Sequence, residues 1–254
     1  MSKQSKGYCK YCGKEYTRGG MLRHLSSCPK RADRLKSEAA KSVCGYFQIV
    51  ITGKYDSDYW LIVEVNENST LKELDQFLRD IWLECCGHLS AFEIRGVRYE
   101  ISPDNDWGWG TPAKSMNYKL RNILSIGEKF SYEYDFGSTT DLILNIHSYR
   151  TGGKHPKEKI VILSRNNPPE IFCNQCGVNK AQWINPFEIY KGNPFWCDEC
   201  LEKTGNEEME CLLPVCNSQR MGVCGYEGSV YYPDQFEPDK SDDIVKRTVN
   251  EKES

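Results

Sequence analysis

No apolar run in these 254 residues approaches the roughly 18–20 residues that a bilayer-spanning helix needs. The opening MSKQSKGYCK also lacks the apolar stretch of a secretory signal. The expectation is a cytoplasmic protein with no membrane partner. Histidine is scarce, with four in the chain. No glycine-rich phosphate loop ending in Gly-Lys-Ser/Thr, no G-x-S-x-G and no H-E-x-x-H occurs. These absences remove the commonest nucleotide-binding, serine-hydrolase and zinc-protease signatures. The triplet Asp135-Phe136-Gly137 stands without the lysine strand or catalytic loop that gives it meaning in kinases.

Cysteine, in contrast, is plentiful: thirteen residues, several in C-x2-C pairs. In a reducing compartment such pairs favour metal over disulfides. Cys9, Cys12, His24 and Cys28 form one set, and Cys173, Cys176, Cys197 and Cys200 another. A C-x2-C turn sets two thiolates on one face of a tight knuckle, and a second pair completes a tetrahedron. The expected cofactor is zinc, about two ions per chain. The four thiolates of the second set leave no position for a catalytic water, so that site reads as structural. In the second set, Trp183, Phe187 and Phe195 are expected to cover the ion. Cys211, Cys216 and Cys224 show no obvious fourth partner and read as free or buried thiols.

The pattern C-x2-C-x11-H-x3-C resembles a two-Cys two-His zinc finger whose last histidine is replaced by cysteine. Tyr16 and Leu22 are the expected core of this small module. The net charge of -3 conceals an asymmetry. Residues 1–41 carry eleven Lys/Arg against three Asp/Glu, a basic arm on an acidic body. Such a cluster is the electrostatic footprint of a phosphate-backbone binder, or else a solubilising tail. The candidate contacts are Arg18, Arg23, Lys30, Arg31, Arg34 and Lys36, with DNA or RNA as partner. Gly19 and Gly20 occupy the helix start where fingers read bases, which favours phosphate over base contacts.

Between these ends, an apolar content of 39% suffices for a packed core. YFQIVITG and DYWLIVEV predict a β-hairpin. STLKELDQFLRDIWLECC predicts a helix with Ser69 or Thr70 as N-cap and Glu73 closing a capping box. Its apolar stripe is Leu71, Leu74, Phe77, Leu78, Ile81 and Trp82. FEIRGVRYEI predicts strands turning at Gly96. GEKFSYEYDFGSTTDLILNIHSYR predicts two strands turning at Gly137. The sum is an α+β fold, a mostly antiparallel sheet holding one long helix. The expected domains are a finger at 1–30, a basic linker at 31–44, the α+β domain at 45–165, the ribbon and a cysteine-containing extension at 166–230, and a loose charged tail at 231–254.

The order of paired strands, TLKELDQFL, GHLSAFEIRGVRYE and GEKFSYEYDFG resembles the plasmid ORF-three-like domain family over about residues 45–150. LPVCNSQRMGVCGYEG resembles the tail of its zinc-ribbon members. The resemblance implies a β-grasp-like fold and residence on mobile elements or in prokaryotic genomes, without a settled activity. The family's H-x-H-x-F segment is matched at His88 and Phe92, with Ser90 in place of the second histidine. Ser138, Thr139 and Thr140 stand where the family carries a tryptophan–histidine pair.

Catalytic constellations are few. Cys85, Cys86 and His88 lie together in sequence, but a helix C-terminus raises rather than lowers a thiol pKa. His88 is therefore expected to cap the helix or satisfy a backbone group. Glu133 and Asp135 are expected on one strand face, where they could hold magnesium. Three readings follow. The first is a non-enzymatic zinc-binding protein that contacts nucleic acid through its basic finger. The second is a protein-docking adaptor. The third is an enzyme with its site near His88, Trp107, Trp109 and Asp135.

Overall fold

The computed structural model describes residues 4–37, 43–103, 112–153, 158–204 and 211–239. The expected site residues Trp107 and Trp109 lie outside them. The finger comprises β1 (Lys6–Tyr8), β2 (Glu15–Thr17), α1 (Arg18–Ser27) and α2 (Pro29–Ser37). The body follows with β3 (Val43–Gly53), β4 (Trp60–Asn66), α3 (Leu71–Leu78), a π-helical turn (Arg79–Leu83), β5 (Ser90–Ile94), β6 (Val97–Glu100), β7 (Lys114–Ser115), β8 (Lys129–Tyr134), β9 (Thr140–Gly153) and β10 (Ile160–Arg165). The ribbon carries β11 (Trp183–Ile184), β12 (Phe195–Trp196), α4 (Asp198–Thr204) and β13 (Leu213–Pro214).

The body is one eight-stranded sheet in the order β10-β4-β3-β9-β8-β5-β6-β7. Its pairings are antiparallel except β6 with β7. The expected α+β class is what the molecule has. Thr70 caps α3 with Glu73 completing the capping box, and all six residues of the expected stripe are buried against the sheet.

Side-chain alternation along a strand explains what lies on each face. Phe47, Ile49, Ile51, Leu61, Val63 and Val65 point to the α3 side. Val50, Trp60, Ile62, Val161 and Leu163 point to the other and pack against Met21 and Leu25 of α1. Burial on both faces is why β3 and β4 are nearly continuous apolar runs. β9, by contrast, buries Leu142, Leu144 and Ile146 while Asn145 and His147 face solvent.

The finger is thus seated on the body. Its core is not the Tyr16–Leu22 pair alone, since both are only partly buried beside Met21 and Leu25. Lys10 N–H donates to Leu163 O at 2.9 Å, and Ser164 Oγ donates to Tyr8 O at 2.8 Å. Gly7 crosses so close that a Cβ there would stand 2.0 Å from Arg165 O. The expected linker at 31–44 begins as α2, whose Arg31 is buried on Glu64 of β4. The expected loose tail is ordered over 231–239: Tyr232 packs on Phe77, and Asp239 pairs with Lys10 at 2.9 Å. Residues 240–254 lie outside the described residues.

Candidate metal centres

In the finger, β1 and β2 form the knuckle that carries Cys9 and Cys12, while α1 presents His24 and its end presents Cys28. The four ligand atoms lie within 4.8 Å of one another. Gly13 N–H donates to Cys9 O at 2.9 Å, closing the knuckle. His24 Nε2 stands 3.2 Å from Cys12 Sγ, and its ring stacks on Tyr16 at 4.4 Å. Burial, with Lys14 nearby, lowers the His24 pKa and favours the neutral imidazole that a metal requires. Burial pushes the Cys9 thiol up to about 12, so a cation is needed to hold thiolates there.

In the ribbon, Cys173, Cys176, Cys197 and Cys200 also gather within 4.8 Å, with Cys176 and Cys197 sulfurs 3.9 Å apart. Backbone N–H groups of Asn179 and Val178 pull the Cys176 thiol down to about 6. The cover differs from expectation. Phe187 is 72% exposed, while Ile184 and Trp196 are buried. The register pairs Trp183 with Trp196 and Ile184 with Phe195, so the two buried side chains lie on opposite faces of β11–β12, and the helical turn Pro186–Lys191 carries Phe187 outward.

A third group is assembled from distant parts of the chain: Cys85, Cys86, His88 and Cys224, again within 4.8 Å. His88 Nε2 lies 3.0 Å from Cys86 Sγ and 3.2 Å from Cys224 Sγ. Cys86 Sγ is 3.5 Å from Cys85 Sγ and 3.8 Å from Cys224 Sγ. This corrects two expectations. The His88 ring faces thiols instead of capping the helix, and Cys224 has partners. Cys216 is buried, which pushes its thiol up to about 12, and Cys211 is exposed.

Buried polar groups missed by sequence reasoning hold this third group. Asp75 accepts from Ser90 Oγ at 2.6 Å, Tyr132 OH at 2.7 Å and Arg79 Nε at 2.8 Å. Arg79 reaches Glu84 Oε2 at 2.8 Å and His88 O at 2.6 Å. Glu84 in turn accepts from Gly87 N–H at 2.6 Å. Ser90, the departure from the H-x-H-x-F pattern, is therefore part of this buried network. An Asp–Arg pair four apart within an apolar stripe was the available signal.

Asp135 and Glu133 do not share a face. Asp135 lies past the end of β8 at φ +65, bound to Arg220 at 2.7 Å and to Gly137 N–H at 3.0 Å. Glu133 is paired with Arg98 at 3.0 Å. Asp135 does approach His88 Nε2, at 3.5 Å.

The basic candidates divide. Arg23, Lys30 and Lys36 are exposed on α1 and α2, while Arg18 donates to Ser57 O at 3.1 Å and Arg34 is half-buried. Arg31 is 8% exposed and bonded to Leu25 O and Glu64, so its charge is spent inside the molecule.

The sequence model of the plasmid pRiA4b ORF-3-like protein family matches residues 47–177. The chain belongs to this family. The match runs past the sheet and through Cys173 and Cys176, beyond the span expected from sequence. No curated protein matches the chain. A solved structure, a protein of unknown function called MM3350 from Methanosarcina mazei Go1, is 19% identical, covers 49% of this chain and 70% of that chain, and has a TM-score of 0.41. Among the described residues, no helix is long and apolar enough to cross a membrane.

Proposed function

We propose that this chain is a zinc-binding, non-enzymatic interaction protein that contacts nucleic acid through the outer side of its finger. Cys9, Cys12, His24 and Cys28 hold one zinc, and Cys173, Cys176, Cys197 and Cys200 hold another. Both ligand sets complete a tetrahedral shell. The observation that carries the nucleic-acid reading is the polarity of the docked finger. Met21 and Leu25 face the sheet, whereas Arg23, Lys30 and Lys36 are exposed. α1 and α2 have no acidic residue in their first turns. A surface of this kind suits sequence-independent phosphate contact, whose affinity falls steeply with salt.

The test is an electrophoretic or anisotropy titration against duplex DNA and single-stranded RNA at several salt concentrations. Arg23→Glu/Lys30→Glu/Lys36→Glu should keep its zinc and its melting temperature. Its log Kd against log salt slope should fall by about 2–3, at about 0.9 for each DNA phosphate left unneutralised. Equal binding by this variant and the parent would remove the nucleic-acid reading.

A second reading, docking to a protein, rests on the ribbon. Phe187 and Tyr190 are 72% and 99% exposed on one turn, and aromatic side chains anchor interfaces. Loss of a captured partner on Phe187→Ser/Tyr190→Ser, with no change on the finger variant, would favour it. For an enzyme, the approach of His88 to Asp135 is the pertinent geometry. The surrounding thiols suit metal ligation better than proton transfer. The adjoining open groove of about 480 Å³ presents paired charges, Lys54 with Asp141 and Arg98 with Glu133.

A further inference from the structure

We propose that Cys85, Cys86, His88 and Cys224 form a third zinc site, which fastens the C-terminal segment to the end of the central helix. This site is additional to the two in the proposed function and does not depend on nucleic-acid binding. Zinc at about 2.3 Å from sulfur and about 2.0–2.1 Å from nitrogen spaces tetrahedral sulfurs about 3.8 Å apart and sulfur and nitrogen about 3.5 Å apart. The sulfur pairs here, at 3.5 and 3.8 Å, meet that requirement. Of the two His88 distances, 3.2 Å to Cys224 equals that between Cys12 and His24 in the finger, and the other, to Cys86, is 3.0 Å.

The backbone repeats the same device at every centre. A ligand cysteine is followed by a glycine in the left-handed region at Cys12-Gly13 (φ +69), Cys86-Gly87 (φ +75), Cys176-Gly177 (φ +67) and Cys224-Gly225 (φ +69). In three of these, Gly87, Gly177 and Gly225, a Cβ would meet nothing within 4 Å. Glycine is thus required there by conformation and not by space. Cys224 itself is non-glycine at φ +50, a strained position of the sort that persists where surroundings over-determine it.

Arg220, with a fully buried side chain, lies over the Tyr134 ring at 4.8 Å. It is fixed by Asp135 at 2.7 Å, Ser138 O at 3.0 Å and Thr140 Oγ1 at 3.1 Å. Asp135 is held by Arg220 and Gly137 N–H, so the four Cys/His ligands complete the shell without it. Cys86 and Cys224 are exposed, unlike the buried Cys9 and Cys28 of the finger. The third ion is therefore the one most open to exchange.

The experiment is zinc stoichiometry by elemental mass spectrometry on the full chain, purified under reducing conditions. Cys224→Ser should carry one zinc fewer than the parent and keep its far-ultraviolet circular dichroism. Cys224→His, which restores a ligand, should recover that equivalent. Cys176→Ser is the reference for the ribbon. In the cobalt-substituted protein, the Cys224→Ser difference spectrum should show thiolate-to-cobalt charge transfer. Equal zinc in parent and Cys224→Ser overturns the third site, and loss in Cys176→Ser alone leaves the ribbon site standing. A disulfide joining Cys224 to Cys85 or Cys86 in freshly purified reduced protein also overturns it.

Discussion

Glu64 shows how a single residue sets the terms of the finger's attachment. Its side chain is 2% exposed, bonded to Arg31 from α2 and to Arg150 from β9 at 2.8 and 2.6 Å. Burial alone would raise the Glu64 pKa. The guanidiniums of Arg150 and Arg31 outweigh it and hold the carboxyl below the ordinary value of 4.5. A folded pKa below the unfolded one gives stability that is fully present above the unfolded value. It is lost as pH falls through the folded value. Urea titrations from neutral pH to below 4.5 should therefore show an acid limb that flattens in Glu64→Gln. Arg31→Ala, which leaves Glu64 half-compensated, should cost about 3 kcal/mol at neutral pH. Arg23→Ala, on the exposed side of α1, should stay within about 0.5 kcal/mol. Equal losses would mean that the inward and outward arginines are not distinguished in solution.

The helix and the strands follow their local chemistry. Thr70 accepts from Glu73 N–H at 3.2 Å, and Glu73 Oε2 accepts from Thr70 N–H at 2.9 Å. Thr70→Ala should cost about 1 kcal/mol in chemical denaturation with an unchanged m-value. After Leu78 the helix widens into the π turn Arg79–Leu83. That turn places Arg79 on Asp75 within the core and delivers Cys85 and Cys86 to the surface. Periodicity predicted the stripe but not the widening, because i→i+4 and i→i+5 turns share their apolar positions over so few residues.

At the scale of the molecule, the finger and residues 211–239 are packed on the sheet as parts of one body. Arg165, 2% exposed, donates to Pro233 O at 2.8 Å, and Asn217 Nδ2 donates to Asn166 O at 2.9 Å. Removing the finger would bare Val50, Trp60, Ile62, Val161 and Leu163. A chain beginning at residue 43 should therefore aggregate or bind a hydrophobic dye, as read by light scattering and dye fluorescence. A monodisperse, dye-silent fragment would refute the docking. Chelation of the parent should lower the melting temperature, since metal binding and the folding of small modules are linked. Co-operative loss of the finger–sheet packing is expected, read by Trp60 fluorescence in variants retaining only that tryptophan.

The amino-acid sequence alone determined the local elements: the hairpin of β3 and β4, the capped stripe of α3, the turns at Gly96 and Gly137, and the grouping of the finger and ribbon Cys/His clusters. Those features depend on residues near one another or on spacings that ligand geometry imposes. Tertiary structure decided what covers each face of the sheet, which arginine is buried, and that Cys224 meets Cys85, Cys86 and His88. A meeting of residues 136–139 positions apart leaves no periodicity to read. It exists because Arg220, Ser218 and Asn217 anchor the intervening chain to buried acceptors on the body.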